Sequence, residues 1–177
     1  MTMMGKSTAM AALALLIGAA SPVAAAEEAT IRAFAAWQGA GNLFETGASE
    51  VTFVGALTGT MYIDTDKGPL ASGAMVCPVV VTINTDDGSQ DAKGRCVISA
   101  KDGARVYATI ACTGIRLIGC DGDFTLTGGT GRFKGIAGGG RVNLRSEFDA
   151  ITPVSKAAAQ EQGEGILYLR ELHYPIP

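Results

Sequence analysis

Apolar residues recur at every second position in segment after segment of this chain. Val51, Phe53, Leu57, Met61 and Ile63 share one parity in VTFVGALTGTMYI, and Val79, Val81 and Ile83 alternate in the same way. The pattern returns at Val106, Ala108 and Ile110, at Phe124 and Leu126, at Val142 and Leu144, and at Leu167 and Leu169. A period of two turns one side of a strand to a core and the other to solvent, so each segment predicts a half-buried β-strand. Clusters of Gly, Asp and Asn such as NTDDGSQDAKG separate the segments as turns. The 24 glycines suit a tightly turning all-β chain better than a helical one. Only SKAAAQEQ, near Lys156, reads as a short helix or a loop. Many short antiparallel strands in one small domain mean a barrel or a sandwich, and a small antiparallel β-barrel is the preferred reading.

The first residues follow a different rule. Lys6 precedes an apolar run from Ala9 to Ala20, and Ala24-Ala25-Ala26 offers a small-residue cleavage site. This predicts a secretory signal peptide over residues 1–26 and a single domain over 27–177, periplasmic or secreted. Cleavage removes Lys6 and leaves 13 basic against 17 acidic residues, a formal charge of −4. That mild acidity argues against nucleic acid or anionic lipid as a partner. No later apolar run is long enough for a membrane-spanning helix, so no stable membrane insertion is expected.

Cys77, Cys96, Cys112 and Cys120 all follow the leader, and an even number in an oxidising compartment suggests two disulfides. Three connectivities are open, and hairpin geometry favours one. A hairpin turning at Asp86-Asp87 sets Cys77 opposite Cys96, and one turning near Arg116 sets Cys112 opposite Cys120. Each cysteine also shares its parity with apolar neighbours, as cross-strand partners on one face must. The spacings of 19, 16 and 8 residues, with His173 the single histidine, do not suit a zinc site, and no metal or cofactor is expected. Asp64 and Asp66, and Asp121 and Asp123, lack the full ligand run of a calcium loop and read as turn residues.

FTLTGGTGRFKGIAGGGRVNL, from Phe124 to Leu144, contains the one glycine-rich stretch with basic side chains. Gly129 and Gly131 begin a dinucleotide fingerprint, but Lys134 stands where its third glycine belongs. Gly135-Ile136-Ala137 does not supply the Gly-Lys-Ser/Thr end of a phosphate loop, and no helix pattern follows. The glycines are therefore read as turn formers, with Phe133 and Ile136 packing beneath them and Gly138 to Gly140 allowing a bulge.

The same stretch resembles the late strand–turn–strand of the allene oxide cyclase-like and dirigent-like β-barrel superfamily, with its Thr-Gly-Gly-Thr-Gly-x-Phe-x-Gly turn. GRCVISAKDGARVYATIACTG is similar to the preceding hairpin of that family, whose Gly-x-Cys-Val falls on Gly94 to Val97. The resemblance spans about Gly94 to Leu144 and is particularly close to exported bacterial members, mostly of unassigned function, that carry segments like Met75 to Pro78, Gly94 to Cys96 and Gly128 to Phe133. It implies an eight-stranded antiparallel barrel with a lumen able to hold an apolar molecule, and a homo-oligomer, trimer or dimer. It does not carry over the cyclase activity. The plant enzymes have a Glu-x-Asn-Glu segment on an early strand, and SEVTFVGALTGTMYIDTD lacks it. Cys96 matches a cavity-lining position of those enzymes, but here its expected partner is Cys77.

If the cysteines face inward, the interior holds Val79, Val81, Ile83, Ile98, Val106, Ala108, Ile110, Phe124, Leu126, Val142 and Leu144, with Trp37 and Ser146 as further candidates. That set offers no paired carboxylates and no nucleophile beside a base. Tyr62, Tyr107, Arg105, Arg141 and Arg145 fall on the outer parity. The expected ligand site is the lumen, against Val81, Ile98, Val106, Ile110 and Phe124. Three functions compete: a barrel that binds a small apolar molecule, an isomerase or cyclase that confines such a molecule as substrate, and a structural or interaction domain whose lumen is filled.

Overall fold

The computed structural model of the chain describes residues 28–175, and of residues 148–151, 153 and 154 the backbone only. The signal peptide expected over residues 1–26 lies outside the described residues. Eight strands follow in order: β1 (Glu28–Gly47), β2 (Glu50–Thr65), β3 (Gly68–Asn84), β4 (Ser89–Ser99), β5 (Arg105–Ile115), β6 (Gly119–Gly129), β7 (Gly138–Ser155) and β8 (Ala158–Pro175). Each pairs antiparallel with its neighbours in sequence, and β8 pairs with β1, so the sheet closes into an up-and-down barrel. Closure leaves every strand with two partners and removes the exposed edges of an open sheet.

The alternation read from the sequence is the alternation of inside and outside. Phe53, Leu57 and Met61 of β2, Val106, Ala108 and Ile110 of β5, and Leu167 and Leu169 of β8 are buried in one core. The outer face has charged pairs instead. Arg141 donates to Asp123 at 2.7 Å, and Arg32 meets Asp64 at 3.3 Å. Phe34 and Tyr62 stack outside with ring centroids 5.2 Å apart. Asp121 and Asp123 stand within β6 and not in a turn; Asn143 donates to Asp121 across the ladder. Their spacing of two is that of a strand's solvent face.

Both disulfides form as expected, Cys77 with Cys96 and Cys112 with Cys120. The first joins residues directly opposed in the β3–β4 register, which pairs Val76 with Val97 and Val79 with Gly94. The turn between them is built by side chains. Asn84 Oδ1 accepts from Asp86 N–H and Asp87 Oδ1 from Ser89 N–H, each at 2.8 Å. Hydrogen bonds from Ser89 hold the Asp87 carboxyl below the usual carboxylate range. The second bridge is diagonal. Cys112 lies opposite Gly122 and Cys120 opposite Gly114, so the β5–β6 hairpin turns one residue later than the sequence suggests, about Leu117. Leu117 takes φ +71°, a left-handed conformation that nothing in its side chain advertises.

SKAAAQEQ is not a helix. The chain turns at Lys156-Ala157, and from Ala158 it runs as β8. Gln160 pairs with Thr152 on one side and Asn42 on the other. Helix propensity among these residues amounts to a few tenths of a kcal/mol each, and a strand bonded on both sides outweighs it.

The glycine-rich stretch ends β6, makes a single 3-10 turn over Gly131–Phe133 and enters β7. Gly128 at φ +144° and Gly131 at φ +59° take backbone conformations that a side chain resists. The turn folds Ile136 into the core, with Phe133 packed against it. Arg132 donates to Asp102 and lies 4.7 Å from the Phe133 ring centre. The stretch is a plug over one end of the barrel.

Candidate functional site

The lumen is not one channel. Ala35, Met75, Cys77, Cys96, Ala108, Val142 and Leu167 are all buried and fill its middle. On either side lies a smaller cavity, and the two share no lining residue. The cavity under the glycine-rich plug measures about 100 Å³ and is lined by Ile98, Val106, Phe124, Phe133 and Ile136 among others. The cavity at the opposite mouth measures about 70 Å³ and is lined by Trp37, Phe53, Leu57, Val81, Ile110, Arg116, Ser146 and Glu161 among others.

The five residues expected to hold a ligand therefore divide. Val81 and Ile110 belong to the mouth cavity, while Ile98, Val106 and Phe124 belong to the plugged one. All five face inward, as parity requires, but the filled middle layer keeps them in two groups. Trp37 and Ser146, the further interior candidates, both line the mouth.

The mouth differs from the plugged end in its polar groups. Among the described residues Glu161 is the charged side chain buried in the core, 3% exposed, and it accepts from Arg116 Nη2. Arg116 sits in the turn between β5 and β6. Its own backbone N–H donates to the Gly88 carbonyl at 2.8 Å, tying that turn to the β3–β4 turn beside it. From there the side chain reaches across the opening to β8. Gln90 and Ser146 add uncharged polar atoms to the lining. A carboxylate taken from water needs a paired charge, and Arg116 supplies it.

Trp37 projects from β1 between two glycines, Gly59 on β2 and Gly165 on β8. The missing side chain of Gly165 leaves room for the indole, while Gly59 lets its own strand approach the β1 backbone at Ala36. It is 5% exposed, and its Nε1–H has no hydrogen-bond partner in the protein. Buried donors are almost always paired, which makes this one unusual.

Neither Glu161 nor Arg116 was placed inside by sequence reasoning. The parity of Leu167 and Leu169, carried back along β8, reaches Glu161 and would have found it. The helical appearance of SKAAAQEQ cut that extrapolation short. Arg116 leaves no periodic signal, because a turn residue's direction depends on how its hairpin is twisted.

His173 lies on β8, exposed, with Nδ1 2.8 Å from Thr30 Oγ1. Among the described residues no group of three or more His, Cys, Asp and Glu side chains is placed to hold a metal ion.

No protein-family model matches the chain, and no curated protein matches it. Among solved structures it is similar to a pterocarpan synthase dirigent protein, at 12% identity over 82% of this chain and 93% of that one, with a TM-score of 0.33.

Proposed function

We propose that the protein is an exported barrel that binds a small, largely apolar molecule at the mouth between Trp37 and Arg116 and releases it unchanged. The observation that carries this reading is an apolar cavity on which a few polar side chains converge, the usual form of a small-molecule site. Its position in a closed eight-stranded barrel agrees with the resemblance of Gly94 to Leu144 to allene oxide cyclase-like and dirigent-like barrels. The two disulfides support maturation in an oxidising compartment. Apolar side chains inside and ion pairs outside support a barrel that lives in water, the reverse of one that spans a bilayer.

A second reading keeps the site and adds chemistry. Glu161 borders the cavity and is a group able to move a proton, which an isomerase acting on a confined substrate would use. Turnover of a bound compound separates the two readings.

Native mass spectrometry of protein purified from the cells that make it tests the proposal. The expected spectrum shows a chain beginning at Glu27 with a small-molecule adduct. It also gives the subunit count. Exposed Val54, Val76 and Val80, on adjoining β2 and β3, favour the self-associated trimer or dimer that the resemblance implies. Ile110→Phe is expected to abolish the adduct, whereas Val106→Trp, which fills the far cavity, leaves it in place. A bare chain that also takes up no added apolar compound would hand the molecule to the structural reading, in which the filled middle layer is the purpose of the fold.

A further inference from the structure

We infer that the cavity beneath the glycine-rich plug is a second binding site, separate from the mouth, which takes up a small hydrocarbon or the alkyl end of a longer molecule. It goes beyond the mouth reading and does not rest on it.

The lining decides the class of ligand. Thirteen of its fifteen residues are apolar and none is charged, whereas Lys93, Arg116 and Glu161 all border the mouth. The two exceptions are Ser72 and Tyr174. The Ser72 hydroxyl donates to the Met61 carbonyl at 3.1 Å, so its proton is already engaged. Buried water needs about two to four polar partners, and this wall is poor in them. Apolar cavities of about 150 Å³ stay dry and take up benzene or xenon. At about 100 Å³ this one suits a smaller apolar guest.

Access is the second observation. Met61, Phe124 and Leu169 are buried and make the floor. Ile31, Ile63 and Tyr174 line the same cavity but are only half-buried. They come from β1, β2 and β8, whereas the 3-10 turn of the plug packs against β5 and β6. The plug therefore covers one side of this end and leaves the other open. An alkyl chain can enter there and keep a polar head outside, with no strand displaced.

Separation is the third. Buried Met75, Ala108 and Leu167 fill the barrel between the two cavities, which share no lining residue. A guest at the plugged end meets a wall that the mouth does not contribute to. Part of that wall is the plug's own Phe133 and Ile136. Thr130 fixes the turn that supplies them: its N–H donates to the Arg105 carbonyl at 2.8 Å, and its Oγ1 accepts from Arg105 N–H at 3.0 Å.

Isoleucine methyl signals of the folded protein are followed as xenon, 1-hexanol and 1,6-hexanediol are added. Xenon and 1-hexanol are expected to shift Ile63 and Ile136 in a saturable way. The diol has a hydroxyl at each end, so neither end enters without losing its water. It should bind at least about tenfold more weakly than 1-hexanol. Val106→Trp fills the cavity and should abolish the shifts at Ile63 and Ile136. Ile110→Phe, at the mouth, should leave them unchanged.

Ile63 and Ile136 signals that stay in place under saturating xenon and 1-hexanol overturn the inference, as does equal affinity for hexanol and diol. Shifts confined to Ile83 and Ile110 would put every guest at the mouth, overturning this site and leaving the mouth reading intact. If the wild type takes up nothing here but a chain ending at Pro175 does, the chain's own last residues are the occupant and the inference falls. Should Val106→Trp fail to fold, the wild-type methyl shifts decide the matter alone.

Discussion

Trp37 and Gly165 face one another across the β1–β8 ladder so closely that a Cβ on Gly165 would stand 2.6 Å from Trp37 Cζ2. The same Cβ would strike the Arg145 carbonyl on the neighbouring strand. Gly165→Ala is therefore expected to push the indole off its seat and destabilise the protein by about 1–3 kcal/mol. Denaturant unfolding followed by tryptophan emission measures both effects at once. An unchanged midpoint with unchanged emission would mean that the indole has slack the packing does not suggest.

Glu161 and Arg116 call for a double-mutant cycle. Glu161→Leu removes the carboxylate that the half-buried Arg116 guanidinium meets and should cost about 2–4 kcal/mol. Arg116→Met leaves a buried carboxylate and should cost a similar amount. The double variant should recover most of the loss, because an apolar pair needs no compensating charge. Unfolding midpoints of the four proteins give the coupling. If the single changes are additive, the pair is no more than a surface contact.

Much of this fold was legible from one parity rule, and what it missed lay in a turn's conformation and in the stagger of the strands. The Cys77–Cys96 register followed from a turn centred between Asp86 and Asp87, where Asn and Asp side chains make the bend visible in the sequence. The Cys112–Cys120 hairpin was placed one residue early because Leu117 adopts a conformation usually left to glycine. Parity fixed the facing of all five expected ligand residues but not their depth along the barrel axis. Depth depends on how the strands stagger, which no single strand encodes. The layer of Met75, Ala108 and Leu167 that divides the lumen was invisible for the same reason.

Removing the disulfides one at a time should give unequal losses. Cys77 and Cys96 are 19 residues apart and Cys112 and Cys120 are 8 apart. Loop-closure entropy assigns roughly 3 kcal/mol to the longer loop and about 2.5 kcal/mol to the shorter. Paired Cys→Ala variants, unfolded in denaturant under identical conditions, check the order. A larger loss at the 112–120 bridge would show that packing around the bridge outweighs chain entropy.

The glycine-rich plug predicts a contrast between its own residues. Ile136→Ala should cost about 2–4 kcal/mol, because it empties a core position. Arg132→Ala should cost less than about 1 kcal/mol, since its partner Asp102 is exposed. Inorganic phosphate should leave the amide signals of residues 128–138 unmoved. Saturable phosphate shifts there, lost in the Arg132 variant, would revive the anion-binding alternative.

Glu28 pairs with Pro175 at the closing ladder, so the barrel's first and last described residues are neighbours. Seven of the eight ladders join strands adjacent in sequence, and β1–β8 alone must bring distant parts of the chain together. Loop-closure entropy makes that joint the slowest to form. Trp37 sits on it, so its emission should report the final zipping of the cylinder, after the disulfide-linked arc from β3 to β6 has assembled. The joint is also movable. A short linker between the two ends, with new termini cut at Lys67, would turn the last ladder to form into a local hairpin and hand the task of closure to β2 and β3.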